Sequence, residues 1–348
     1  MLTPLLKIYA SALKCGEFSL TLEFEMLANM ISSMDRSSIA SYDAKIFEQC
    51  ILALDLRHQL PESIKDVNMV EENVIHAIIT LTMKLTETMF RPLFFRSLEW
   101  ADSQLEGSEL RKIRSIDRSI SFYKLVHKLI EHHRSLFVPY FKYLVDGCTH
   151  YLSEDPDADV VLAPRRKKAK VGDTKPQTVL SSKLWHLRSL ILKCLYKCFL
   201  YDSSEQKFLD SSNFQVLLKP IVSQFVVELP TSLEPSSDAP SVEEVNELIV
   251  VCLGQMAVTS RSDVLWQPLN HEVLMQTRSE KVRARILGLR VVDYLLDHLK
   301  EEYLSLMAQT VPFLAELLED VESSVKSLAQ EILKKMETLS GENIRQYL

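Results

Sequence analysis

His127, Glu131, His132 and His133 are the residues of this 348-residue sequence whose types come nearest to metal chemistry. A zinc-protease helix of the H-E-x-x-H kind needs two histidines four apart, with the glutamate directly after the first, so that both imidazoles share one face. Here the acid lies four residues after His127 and the next histidine five after it, and the inverted H-x-x-E-H order fails by one residue. Cys194 and Cys198 are four apart on a predicted helix, with His186 two turns earlier, but no C-x-x-C pair supplies the remaining ligands of a tetrahedral site. They interleave with Leu190, Leu195 and Phe199, which reads as buried thiols. No nucleophile elbow, phosphate-binding loop or dinucleotide fingerprint occurs, and no feature pairs two carboxylates. The expectation is a chain with no catalytic residues, metal, cofactor or small-molecule substrate.

The basic residues are a different matter. Arg165, Arg166, Lys167, Lys168 and Lys170 form a dense run between Pro164 and Gly172. A short, extended basic segment with an accessible backbone is what an acidic import-receptor groove reads, so these five residues are the candidate nuclear-import signal. Contact with RNA phosphates is a compatible second use. Arg111, Lys112, Arg114 and Arg118 span a predicted helix start and form a lesser candidate set for RNA phosphate contact, although a solvated helix face explains them more simply.

Such residues must be carried by helices. Only 7 residues are glycine, which is too few for the turns of a β-sandwich or the phosphate cradles of nucleotide-binding folds. Apolar residues make up 47% and charged residues 25%, and the net charge of −7 argues against wholesale wrapping of nucleic acid. The six cysteines are dispersed, and the segment after Met1 lacks a basic start, apolar core and cleavage site, so reduced thiols in an intracellular protein are expected. No apolar run reaches the ~18 residues of a membrane span, so no membrane partner is expected.

The apolar period is helical almost throughout, as in Phe47, Cys50, Ile51 and Leu54, or Phe122, Leu125, Val126, Leu129 and Ile130. Pro139, Pro220 and Pro268 start or kink helices. Two stretches break the pattern. Residues 153–178 pass from an acidic run to the basic one without any apolar period and are expected to be a disordered loop. Residues 230–241 carry Pro230, Pro235 and Pro240 among serines and read as a linker. These breaks divide the chain into a helical domain over 1–152, a helical continuation over 179–229 and a repeat region over 242–348.

The repeat is visible in the last third. Val282 and Arg283 open one helix, and Val325 and Lys326 open another 43 residues later. Pro268 lies 14 residues before Val282 and Pro312 lies 13 before Val325, so each helix follows a proline-bearing one. That period falls in the ~40–47 residue window of HEAT and armadillo arrays, whose hairpins stack because none can bury its apolar face alone. The expected fold is all-α, a HEAT-like helical-hairpin solenoid with a long disordered loop. In it, the valines face inward, the neighbouring basic residue approaches acidic or carbonyl groups of the adjoining turn, and Leu328, Ile332 and Met336 cap the array's end.

The stretch from Leu81 to Ala101, centred on Phe90, Arg91, Pro92, Leu93 and Phe94, resembles a hallmark of the carboxy-terminal domain of one family. That family is the very large HEAT-repeat U3 small nucleolar RNA-associated protein 10 family of the small-subunit processome. The segments Ile120–Val126, Leu136–Phe141 and Leu339–Leu348 agree with it. The resemblance implies a nucleolar, non-catalytic scaffold in ribosome biogenesis that acts in pre-18S rRNA processing and is linked to rRNA transcription. Its implied partners are processome proteins of the early 5′ external-spacer subcomplex, with U3 snoRNA and pre-rRNA reached directly or indirectly. Family members are far longer, so a fragment, a short gene model or a truncated isoform is expected. The competing reading is a generic HEAT-repeat adaptor in nuclear transport or signalling, with an unrecognised enzyme a third class. For a scaffold, binding energy concentrates in a few aromatic and Arg anchors. Phe90, Phe94 and Leu98 can share an inward stripe, which leaves Arg91, Phe95 and Trp100 as candidate protein-docking residues.

Overall fold

A computed structural model describes residues 2–103, 115–153, 175–203, 207–230 and 239–344. Every regular element among the described residues is helical. Packing divides these residues into two compact units, the first holding the described residues of 2–133 and 175–190, the second those of 134–153, 191–230 and 239–344. This division falls after His133, where Arg134 takes a left-handed backbone (φ 49°), and not at the compositional break near Ser153. Charge and proline content mark loops, whereas units are defined by which helices bury one another.

The first unit contains α1 (Leu2–Leu5), α2 (Tyr9–Cys15), α3 (Glu17–Ser33), α4 (Arg36–Ile39), α5 (Asp43–Leu54), α6 (Leu56–Gln59), α7 (Val67–Thr82), α8 (Glu87–Asp102) and α9 (Ile116–His133). Its centre is α7, packed on α3, α5 and α9. Leu20, Phe24, Leu27 and Ile31 of α3 and Val70, Val74, Ile78 and Leu81 of α7 are buried at the three-and-four spacing of a helix stripe. Asp66 starts α7 by accepting from the backbone N–H of Asn68 at 3.0 Å and of Met69 at 3.3 Å, which satisfies two of the donors a helix start leaves open.

The second unit contains α10 (Val145–Leu152), residues 191–201 of α11 (Lys175–Tyr201), and three helical hairpins. The hairpins pair α12 (Ser211–Val222) with α13 (Val242–Ser260), α14 (Asp263–Gln276) with α15 (Val282–Leu299), and α16 (Met307–Leu317) with α17 (Ser323–Ser340). First helices stack on first helices and second on second, the arrangement of a HEAT-like solenoid. Pro220, Pro268 and Pro312 each sit inside a first helix. The array therefore begins one hairpin earlier than the sequence reading placed it. The Pro/Ser stretch read as a linker falls between the two helices of the first hairpin, before Ser241 and Glu244 close a capping box on α13.

Local chemistry locks the hairpins together. Arg283 donates from Nη1 to the carbonyls of Gln224 and Phe225, both at 2.9 Å, and from Nε to Asn246 at 2.8 Å, so the basic residue after Val282 does reach the adjoining turn. Val325 is fully buried, as expected, but Val282 is half-buried, and Arg285 is the residue that turns inward. At Gly254 any Cβ would stand 2.1 Å from the Tyr294 ring, so this glycine lets α13 and α15 approach closely.

Candidate interaction surfaces and the polar clusters behind them

The aromatic helix α8 packs on α5 and α9. Phe94 is 1% exposed and lies among Phe90, Phe95 and Phe122, with ring centroids 5.8–6.5 Å apart. The inward stripe is Leu93, Phe94, Ser97 and Ala101; Phe90 and Leu98 are half-buried. Arg91 is exposed, with its guanidinium 5.9 Å from the centroid of half-buried Phe95. Trp100 is also half-buried, and its indole N–H donates to Asp55 Oδ1 at 3.2 Å. Trp100 and Asp55 form part of the wall of a concavity of about 630 Å³ that Lys7, Lys45, Glu48 and Gln49 also line. Arg91 and Phe95 are thus presented as neighbours on one turn, whereas Trp100 belongs to a cleft.

Asp55 explains the position of a further candidate. Arg118 donates from Nε to Asp55 Oδ1 at 2.5 Å and from Nη2 to Oδ2 at 3.2 Å, and its Nη1 reaches Ser103 at 2.8 Å. Burial would raise the Asp55 pKa, but the Arg118 pair and hydrogen bonds from Gln59 and Trp100 hold it below the usual carboxylate value. Arg118 is therefore a corrected assignment. Its guanidinium is committed to an internal carboxylate, which removes it from the set expected to face RNA phosphates. Arg111, Lys112 and Arg114 lie outside the described residues, as do Arg165, Arg166, Lys167, Lys168 and Lys170.

A second buried cluster forms around Glu71, 2% exposed on α7. Arg57 engages both carboxylate oxygens at 3.0 and 2.6 Å, Lys124 reaches it at 2.9 Å, and the Ser121 hydroxyl donates to it as well. Burial alone would raise the Glu71 pKa, but the Arg57 hydrogen bonds and the Arg57 and Lys124 charges bring it down to about 2. Glu23 on α3 has the opposite environment. It is 3% exposed, its Oε2 finds no hydrogen-bond partner among the described residues, and desolvation pushes its pKa up to about 7.

None of these arrangements forms a catalytic constellation. Ser115 Oγ lies 2.9 Å from His58 Nδ1, but the same oxygen accepts from the Arg118 backbone N–H at 3.3 Å, as a helix-start residue does. Among the described residues His58 makes no hydrogen bond to a carboxylate that could orient it as a base. His127 Nε2 is 3.7 Å from Glu131 Oε1, and His133 Nε2 is 2.9 Å from the Thr82 hydroxyl. His76, Lys124, His127, Lys128 and His132 line a concavity of about 500 Å³ in the same unit. Among the described residues no group of three or more His, Cys, Asp or Glu is disposed to hold a metal ion. Cys194 and Cys198 are buried free thiols, and burial pushes Cys198 well above the ordinary thiol value.

The sequence reading missed both buried glutamates. Glu23 and Glu71 each sit on the apolar stripe of a helix, Glu23 three residues from Leu20 and Glu71 three before Val74. An acid on an inward stripe was the available signal. The partners of Glu71 were not, because they come from other helices.

A stacked array of proline-marked helical hairpins defines a helical-repeat protein of the HEAT type. Residues 38–207 match the BP28CT (NUC211) domain, and over most of its length the chain is similar to proteins named HEAT repeat-containing protein 1 and U3 small nucleolar RNA-associated protein 10. It is 55% identical over its whole length to a protein of Arabidopsis thaliana, of which the match covers 16%. It is 29% identical to the HEAT repeat-containing protein 1 of Danio rerio, over 100% of this chain and 16% of that protein. The U3 small nucleolar RNA-associated protein 10 of Schizosaccharomyces pombe is 24% identical over 97% of this chain and 18% of its own length. The chain thus spans about one sixth of the length of these relatives.

Proposed function

We propose that this chain is a non-catalytic scaffold segment in ribosome biogenesis, which works in the nucleolus within the small-subunit processome and serves pre-18S rRNA processing. The observation that carries the proposal is its likeness, over 95–97% of the chain, to proteins of two yeasts named for their association with U3 small nucleolar RNA. Helical-hairpin arrays bind through extended surface and not through a reactive pocket. The buried carboxylates support the same reading, because Asp55 and Glu71 are each tied to an internal cation instead of facing a substrate. Arg91, Phe95 and Trp100 are the proposed protein-docking residues, and proteins of the early 5′ external-spacer subcomplex are the proposed partners. U3 snoRNA and pre-rRNA are reached through them or directly. Linkage to rRNA transcription belongs to the same proposal.

The test is recovery of RNA and protein on the tagged chain. U3 snoRNA and 18S precursors should be enriched over an untagged control, and imaging should place the chain in the nucleolus. A diffuse cytoplasmic chain that recovers neither would overturn the proposal and favour a HEAT-repeat adaptor in transport or signalling. Arg165, Arg166, Lys167, Lys168 and Lys170 are proposed as the import signal. Their replacement by alanine should shift the chain to the cytoplasm without changing its unfolding, and nuclear accumulation of that variant removes the role.

A further inference from the structure

The two units differ in what their helices show to water. On α3 the inner face is filled by Leu20, Phe24, Leu27 and Ile31, each at most 1% exposed. The outer face carries Phe18 at 73%, Leu22 at 56% and Met26 at 47% exposure. Their spacing, four residues and four again, puts three large apolar side chains in one line along two turns of helix. Single exposed apolar residues are ordinary, but a line of three along one helix is the seam by which a helix receives another.

The second unit shows what covered and uncovered helices look like in this chain. Helix α15 is flanked by α13 and α17 and exposes no large apolar residue. Helix α17 is flanked by α15, and every exposed position on it, from Ser323 to Thr338, is polar or charged. That polar outer face is what a terminal repeat needs to stay soluble. Helix α3 has the apolar face of an interior helix and the exposure of an end one.

We propose that the Phe18–Leu22–Met26 stripe is the docking face for one more HEAT-type helix, supplied by the part of the longer family chain that lies beyond these 348 residues. The occupant is argued from length and chemistry. More than four-fifths of the Danio rerio and Homo sapiens relatives lies outside the matched region, and both are named for HEAT repeats. A HEAT helix presents the complementary apolar stripe. The flanking exposed Glu25 and Asn29 supply a polar rim at which it would stop.

The chain carries its own reporter. Cys15, next to the stripe, is exposed, and the other five cysteines are buried. Maleimide labelling of Cys15 and of Leu22→Cys is measured by mass spectrometry in two proteins, with Met83→Cys, outside the stripe, normalising the rates. One is the 348-residue chain; the other is the full-length Arabidopsis thaliana relative with its matched region replaced by this chain. Both thiols should label rapidly in the short chain and at least about tenfold more slowly in the long one, as a site protected by packing does. Equal rates in the two proteins overturn the proposal. Slow labelling of the short chain that speeds up on dilution, with a dimeric mass by light scattering, also overturns it and assigns the face to a second copy.

Discussion

Arg285 on α15 and Asp320, in the turn between α16 and α17, form an ion pair with Nε 2.8 Å from Oδ2 and a hydrogen bond of 3.1 Å from Nη2 to Oδ1. The same guanidinium donates from Nη1 to the carbonyls of Ser279 and Glu280 at 2.9 and 3.0 Å. One side chain thus holds the turn before its own helix and the turn of the next hairpin. Replacing Asp320 by alanine leaves a buried cation unpaired, at a cost of about 3–5 kcal/mol. Urea unfolding should show that loss, and Arg285→Met in the Asp320→Ala background should recover much of it. A single variant within about 0.5 kcal/mol of the parent would mean the pair does not hold the hairpins together.

The terminal hairpin supplies a second prediction. Ile332 and Met336 are fully buried, and Leu328 is half-buried, on a helix that packs against α15 and α16. Ile332→Asp places an unpaired carboxylate in that core and should cost ~3 kcal/mol or more. Ile332→Val removes one methylene and should cost about 0.5–1.5 kcal/mol. Thermal unfolding checks both, and an unchanged melt for the aspartate variant would remove α17 from the account of how the array ends.

Two buried glutamates should give stability opposite dependences on pH. The folded pKa of Glu23 is raised from 4.5 to about 7, so the folded state holds the proton more tightly than the unfolded state. Its contribution is fully present below 4.5 and is lost as pH rises through 7. Glu71 is lowered to about 2, so its contribution is present above 4.5 and is lost as pH falls toward 2. Glu23→Gln should flatten the decline between these limits and raise stability at pH 8 by about 1–3 kcal/mol. Glu71→Gln should destabilise at neutral pH, because Arg57 and Lys124 lose their counter-charge. Urea midpoints measured across pH distinguish the two, and a Glu23→Gln profile parallel to the parent would exclude Glu23 as the source of the slope.

The α8 surface separates packing from docking. Phe95 is half-buried beside exposed Arg91, so Phe95→Ala should cost less than ~1.5 kcal/mol while reducing recovery of processome proteins. Trp100→Phe keeps a ring but loses the bond to Asp55, at a cost of about 1 kcal/mol. A loss of ~3 kcal/mol or more for Phe95→Ala would assign that ring to the core and end its candidacy as an anchor.

The sequence by itself determined the helices and their repeat. Inward positions recur every three or four residues within one helix, so Val325, Ile332 and Met336 could be placed without reference to any other segment. The prolines of the first helices and the 43-residue period identified the hairpin, because both are local or strictly periodic. Tertiary structure decided which helices meet. The partners in Asp55–Arg118 lie 63 residues apart, those in Glu71–Lys124 53 and those in Arg285–Asp320 35. No period links such positions, and neither member of a pair identifies the other. The α12–α13 hairpin was hidden for a related reason, since its proline-bearing loop has the composition of a linker and only packing shows the helices on either side to be one repeat. Arg118 changed from a candidate phosphate ligand to a half-buried, paired cation because a charge's role depends on the counter-charge the fold brings to it, and that counter-charge comes from another part of the chain.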